Sequence, residues 1–166
     1  MSIDRPVSVY AANEPLQRLG TAELFVVSSL RLWVLPHRDP TGIHPDWRRG
    51  FVAAGIEETG APDFDRLFTT IATAARRSLD VRCLRCARLG ADEGLLLQLL
   101  SLLQRDRVAA ASPIIADWLL LAAARMALPP ARGYAAALQE GGLTIPLRHR
   151  EAAGASHFDR GLALVQ

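Results

Sequence analysis

Apolar and polar residues recur along this chain with a helical period, and each apolar run is fenced by proline, glycine or acidic residues. In AELFVVSSLRLWVL, residues 22–35, Leu24, Val27, Leu30 and Val34 fall near one face. Thr21 is placed to cap that helix and Pro36 to end it, because proline lacks the N–H that a helix interior needs. The prolines and glycine of PHRDPTGIHP, residues 36–45, predict a loop. Pro45 then opens a short helix in which Trp47, Phe51 and Ala54 share a face. From Pro62 to about Ser78, Phe64, Leu67, Phe68, Ile71 and Ala75 keep the helical spacing. Asp63 and Asp65 lie early and Arg76 and Arg77 late, a polarity that suits the helix dipole.

The densest apolar segment is ADEGLLLQLLSLLQRDR, residues 91–107. Its leucines at 95, 96, 97, 99, 100, 102 and 103 leave almost no polar stripe, which predicts a helix surrounded on most sides. Ser112 and Pro113 suit the cap and first position of a helix through Ala127, although a kinked helix beginning after Asp106 fits nearly as well. Pro129 and Pro130 interrupt, and residues 131–140 form a last helix that Gly141 and Gly142 end. Residues 1–20 and 148–166 are weakly patterned and read as loosely ordered ends. No internal repeat or second domain boundary is evident. The prediction is one all-α domain over residues 1–166: a compact bundle of five to six main helices with irregular connections, the 92–105 and 113–127 helices at its centre.

Composition narrows this further. A compact chain of 166 residues buries roughly 70% of the surface its unfolded form exposes. Only 6% of the residues are aromatic, so the expected core is mostly Leu, Ala, Val and Ile, with Ala letting helix backbones approach closely. All 19 basic residues are arginine. Without lysine, Schiff-base chemistry and a P-loop are excluded in their ordinary forms. A net charge of +2 points to no polyanionic partner. The apolar tract from Val108 to Leu128 holds Pro113, Asp117 and Arg125. Each charge at mid-bilayer costs about 2.5 to 3.5 kcal/mol on insertion scales, so a buried helix is the better assignment. The opening MSIDRPVSVY lacks the apolar core of a secretory signal, and with two cysteines the expected compartment is the reducing cytoplasm.

The stretch RCLRCARLG, residues 82–90, carries the candidate chemistry. On a helical turn Cys83, Cys86 and Leu89 share one side and the arginines another, which makes the thiols small buried hydrophobes; this is the favoured assignment. Alternatively, Cys83 and Cys86 supply two ligands of a zinc site completed by His149 and His157, or by His37 and His44, although neither histidine pair has the close spacing of a compact finger. A redox pair is a third use, but a thioredoxin-like site belongs at a helix start after a strand, and this chain offers almost no strands. The arginines at 76, 77, 82, 85 and 88 form a basic run that would hold phosphates if they converged; a solvated rim is the simpler expectation. Catalytic signatures are absent: there is no HExxH, GxSxG, GxGxxG or EF-hand loop. Asp92 and Glu93 are adjacent acids whose simplest use is to complement a helix dipole, and His37 and His44 suit loop tethering.

The order of a cysteine-bearing stretch, then ADEGLLLQLLSLLQ, DWLLLAAARMALPPARGYAAAL and GLTIPLR resembles a group of small helical alphaproteobacterial proteins of unknown function, over roughly residues 60–148. The resemblance implies a bacterial cytoplasmic origin and an all-α fold, and carries no catalytic residue across. The expected role is that of a non-enzymatic interaction or regulatory domain with no cofactor. Its partner would be another protein or a second copy, as leucine-rich helical domains often have apolar surface left to cover. A zinc-binding domain is the first alternative and a nucleic-acid-binding domain the second.

Overall fold

The computed structural model describes residues 5–149, in which six helices pack as an all-α bundle: α1 (Thr21–Arg38), α2 (Arg48–Ala53), α3 (Glu57–Ala74), α4 (Ala91–Leu103), α5 (Val108–Trp118) and α6 (Leu121–Glu140). The leucine-dense helix is its axis. In α4 the side chains of Leu97, Leu99 and Leu100 are wholly buried, because α1, α5 and α6 all pack on it. The most extensive packing joins α3 to α6. Gly60 lies against Ala137 and Asp63 against Gly133, so the two helices run antiparallel and meet where a glycine on each lets the backbones approach. Phe51, Phe64 and Tyr134 form an aromatic knot there, flanked by Trp47 and Phe68. The three tryptophans are buried.

Several boundaries depart from the sequence prediction. Gly20, not Thr21, caps α1: its N–H donates to the Glu23 carboxylate at 2.6 Å, so the acid in the first turn does the capping. Pro36 lies in the last turn of α1, where the Asp39 N–H still reaches the Leu35 carbonyl at 2.9 Å. Helix α3 begins at Glu57, ahead of Pro62, and the added turn buries Gly60 and Ala61. The segment expected as one helix through Ala127 is two helices, the first beginning at Val108, near the alternative start after Asp106, with Pro113 inside it. The chain is extended at Leu119, which bridges to Ala75, while the Arg76 N–H donates to the Trp118 carbonyl at 2.9 Å. Conversely, Pro129 and Pro130 do not interrupt α6. Proline inside a helix costs about 3 kcal/mol, and burial of Ala127, Pro130, Ala131, Tyr134, Ala135 and Leu138 along the same helix outweighs it.

The segments flanking the bundle are docked on it. Tyr10, Glu14 and Leu19 are buried, and the Val9 N–H donates to the Gln98 side chain at 3.1 Å. After α6, Gln104 accepts from the Ile145 N–H at 2.8 Å and donates to the Leu143 carbonyl at 2.9 Å. This carries Arg148 to the start of α1, where its guanidinium donates twice to Glu23.

Candidate functional site

The start of α4 is densely hydrogen-bonded. Asp92 and Glu93 are 3% and 0% exposed. Glu93 accepts from the Gly90 N–H at 2.6 Å, capping the helix, and takes a two-pronged bond from Arg31 at 2.7 and 2.8 Å. Arg31 is buried in the middle of α1, and its remaining donors hold the Cys86 carbonyl at 2.6 Å and the Arg88 carbonyl at 2.8 Å. Burial works against the charge on Arg31, and the adjoining Glu93 carboxylate overcomes it, so the guanidinium titrates above its ordinary range. Asp92 accepts from Arg77, the Asp80 N–H and the Trp118 indole. Burial alone would raise its pKa, but these donors outweigh it and hold the carboxyl below the usual range. Arg77 also donates to Asp117 at the end of α5.

The two carboxylates therefore do more than complement a dipole. Glu93 ties the buried Arg31, and Asp92 the half-buried Arg77, to the start of α4, so that the loop between α3 and α4 rests on a polar base. Residues Gly20 and Glu23 repeat the device at α1, with Arg148 in the role of Arg31 and the Tyr10 hydroxyl as a further donor at 2.6 Å. Burial and the nearby Glu23 carboxylate push the Tyr10 phenol up. The signal was present in the chain, as Leu-Gly-x-x-Glu at 19–23 and again at 89–93, together with a lone arginine at position 31 inside an apolar helix.

That polar base overturns the assignment of the thiols as buried filler. Only Leu89 of the trio enters the core. Arg31 fills the space beneath the loop, so Cys83 is exposed and Cys86 half-buried. The Cys86 N–H donates to the Cys83 carbonyl at 3.1 Å, closing a reverse turn. Among the described residues no three histidine, cysteine or acidic side chains stand close enough together to share a metal ion. His149 lies at the end of the described segment, on the wall of a groove of about 1050 Å³ beside the start of α4; His157 lies outside the described residues. His37 stacks on Trp33, and His44 lies 2.7 Å from the Asp39 carbonyl oxygen, so both tether local structure.

The basic run does not converge on one surface. Arg77 is drawn inward to Asp92, Arg76 is exposed beside Trp118, and Arg82 and Arg88 reach Asn13. Arg85 is exposed. Elsewhere the surface is apolar where α5 passes into α6: Leu120, Leu121 and Met126 are 64%, 68% and 69% exposed. Arg125 lies between them, and Arg76 is exposed where its N–H bonds the Trp118 carbonyl; neither has an acidic partner among the described residues.

Comparison with known proteins finds no matching family model, no matching curated sequence and no matching solved structure. No described helix is long and apolar enough to cross a membrane.

Proposed function

We propose that this protein is a non-enzymatic interaction domain of the cytoplasm, and that the first turns of α6 receive an acidic amphipathic helix from a different protein. The observation that carries this reading is the exposed Leu120, Leu121 and Met126 surface with Arg125 and Arg76 beside it. Exposed apolar side chains with Arg125 set among them fit a helix that presents leucine-type side chains with Asp or Glu alongside. A second copy fits it poorly. A second copy would bring the same basic side chains and no acidic residue of this patch to meet them. The buried carboxylates support a structural role, since their oxygens are taken up by donors from the chain itself.

The test is a photo-reactive phenylalanine in place of the exposed Ala122, illuminated in cells, with the crosslinked segment identified by mass spectrometry. The expected product joins position 122 to an acidic helical segment of another protein. As a synthetic peptide, that segment should bind the purified domain and lose at least about tenfold in affinity on Leu121→Glu or Arg125→Glu, one such step corresponding to 1.4 kcal/mol. Crosslinking to a second copy of the chain, capture of a segment without acidic residues, or no product at all would overturn the proposal.

A further inference from the structure

We infer that Cys83 and Cys86 form a reversible dithiol–disulfide couple that is oxidised by anionic low-molecular-weight disulfides. The turn supplies the geometry. Its closing hydrogen bond, Cys86 N–H to Cys83 carbonyl at 3.1 Å, marks a four-residue reversal. Such a reversal holds its end Cα atoms within about 7 Å, and a disulfide spans about 4.4 to 6.8 Å between Cα atoms. The ends of the loop are already held. Arg31 grips the Cys86 and Arg88 carbonyls from below, Leu16 donates its N–H to the Ala87 carbonyl at 3.0 Å, and Leu89 donates to the Glu14 carbonyl at 2.8 Å. Closing the bridge therefore orders little that is not ordered before.

The two thiols differ in access, as an attacking and a resolving cysteine must. Cys83 is exposed and meets the reagent; Cys86, half-buried behind it, is placed to resolve. The surroundings select the reagent. Arg85 and Arg88 are exposed beside the turn, and neither makes an ion pair among the described residues, whereas Asp80 is taken up by Arg82 at 3.2 Å. Positive charge of this kind raises the local concentration of an anionic disulfide such as oxidised glutathione. This chemistry does not need the strand-to-helix site of a thioredoxin; it needs a pre-closed turn.

The reaction balances as two exchanges. The Cys83 thiolate attacks one sulfur of the reagent disulfide, whose S–S bond breaks; one thiolate leaves and takes a proton from solvent. The Cys86 thiolate then attacks the Cys83 sulfur of the mixed disulfide and expels the second reagent thiolate, which is also protonated. The protein loses two electrons and two protons, and the reagent gains them as two thiols.

The experiment equilibrates the full chain in buffers of reduced and oxidised glutathione and counts free thiols by maleimide mass tagging. Expected is the joint loss of both thiols in a monomeric product with no glutathione attached. In Cys86→Ser a stable Cys83–glutathione adduct should form several-fold faster than the adduct at Cys86 in Cys83→Ser. The double variant Arg85→Glu/Arg88→Glu should slow oxidation by glutathione disulfide about tenfold at low salt, while leaving the rate with uncharged hydroxyethyl disulfide unchanged. Both cysteines lie outside the core, so the serine variants retain the fold. A wild-type chain that stays reduced in the most oxidising buffer, carries two glutathiones, or links to a second chain would overturn the inference. So would equal rates for the two single variants, or no effect of the charge reversal.

Discussion

Arg31 shows what one residue can decide. Its buried guanidinium joins α1, the cap of α4 and the cysteine loop. Arg31→Met leaves Glu93 buried and unpaired, so it should destabilise the protein by about 3–5 kcal/mol. Adding Glu93→Gln removes the orphaned charge and should recover part of that loss; urea denaturation of both variants measures the difference. Asp92 makes a separate prediction in pH. Its folded pKa is depressed below the unfolded value of about 3.9. Its contribution is therefore complete above that unfolded value, and it fades as pH falls through the folded pKa. Asp92→Asn should thus be less stable than wild type at pH 7, with the gap narrowing steadily below about pH 4 in the same assay. Neither role was legible from the acids alone. Two adjacent carboxylates at a helix start serve equally well in water, and only the arrival of Arg31 and Arg77 from distant positions shows them to be buried.

At the scale of elements, the hydrophobic period located the helices and failed at their ends. The α4 leucines are buried as the all-round apolar pattern requires, and Leu99→Ala should cost about 2–5 kcal/mol in chemical denaturation. Proline was the misleading signal. Its local penalty is real, yet α6 runs through Pro129 and Pro130 because its buried face continues on both sides of them. Pro129 is exposed, so Pro129→Ala should restore a helical N–H without disturbing a contact and raise stability by about 1–3 kcal/mol. An unchanged or lowered unfolding midpoint would show that proline at 129 contributes more than its missing N–H costs. Gly90 illustrates the opposite case. A methyl group there would run into the Asp80 carbonyl and crowd Glu93, so Gly90→Ala should cost about 1–3 kcal/mol in the same measurement.

For the whole molecule, the surface is where binding is to be sought, because Glu23, Asp92 and Glu93 are committed to holding the fold. The apolar start of α6 and the cysteine turn both face outward, and the binding and exchange proposed above rest on them. Substituting Leu121 or Met126 by a charged residue should leave the unfolding midpoint within about 0.5 kcal/mol of wild type, as befits side chains already in water. By itself, the sequence determined that the chain is helical and which helix is most enclosed, because periodicity and apolar density depend only on residues near each other in the chain. It also ruled out chemistries that need lysine. Where the helices end, which acids are buried and which way the thiols face were decided only by tertiary structure. Each depends on what a distant segment places alongside: Ala75 beside Leu119, Arg148 beside Glu23, and Arg31 beneath the loop that carries Cys83 and Cys86.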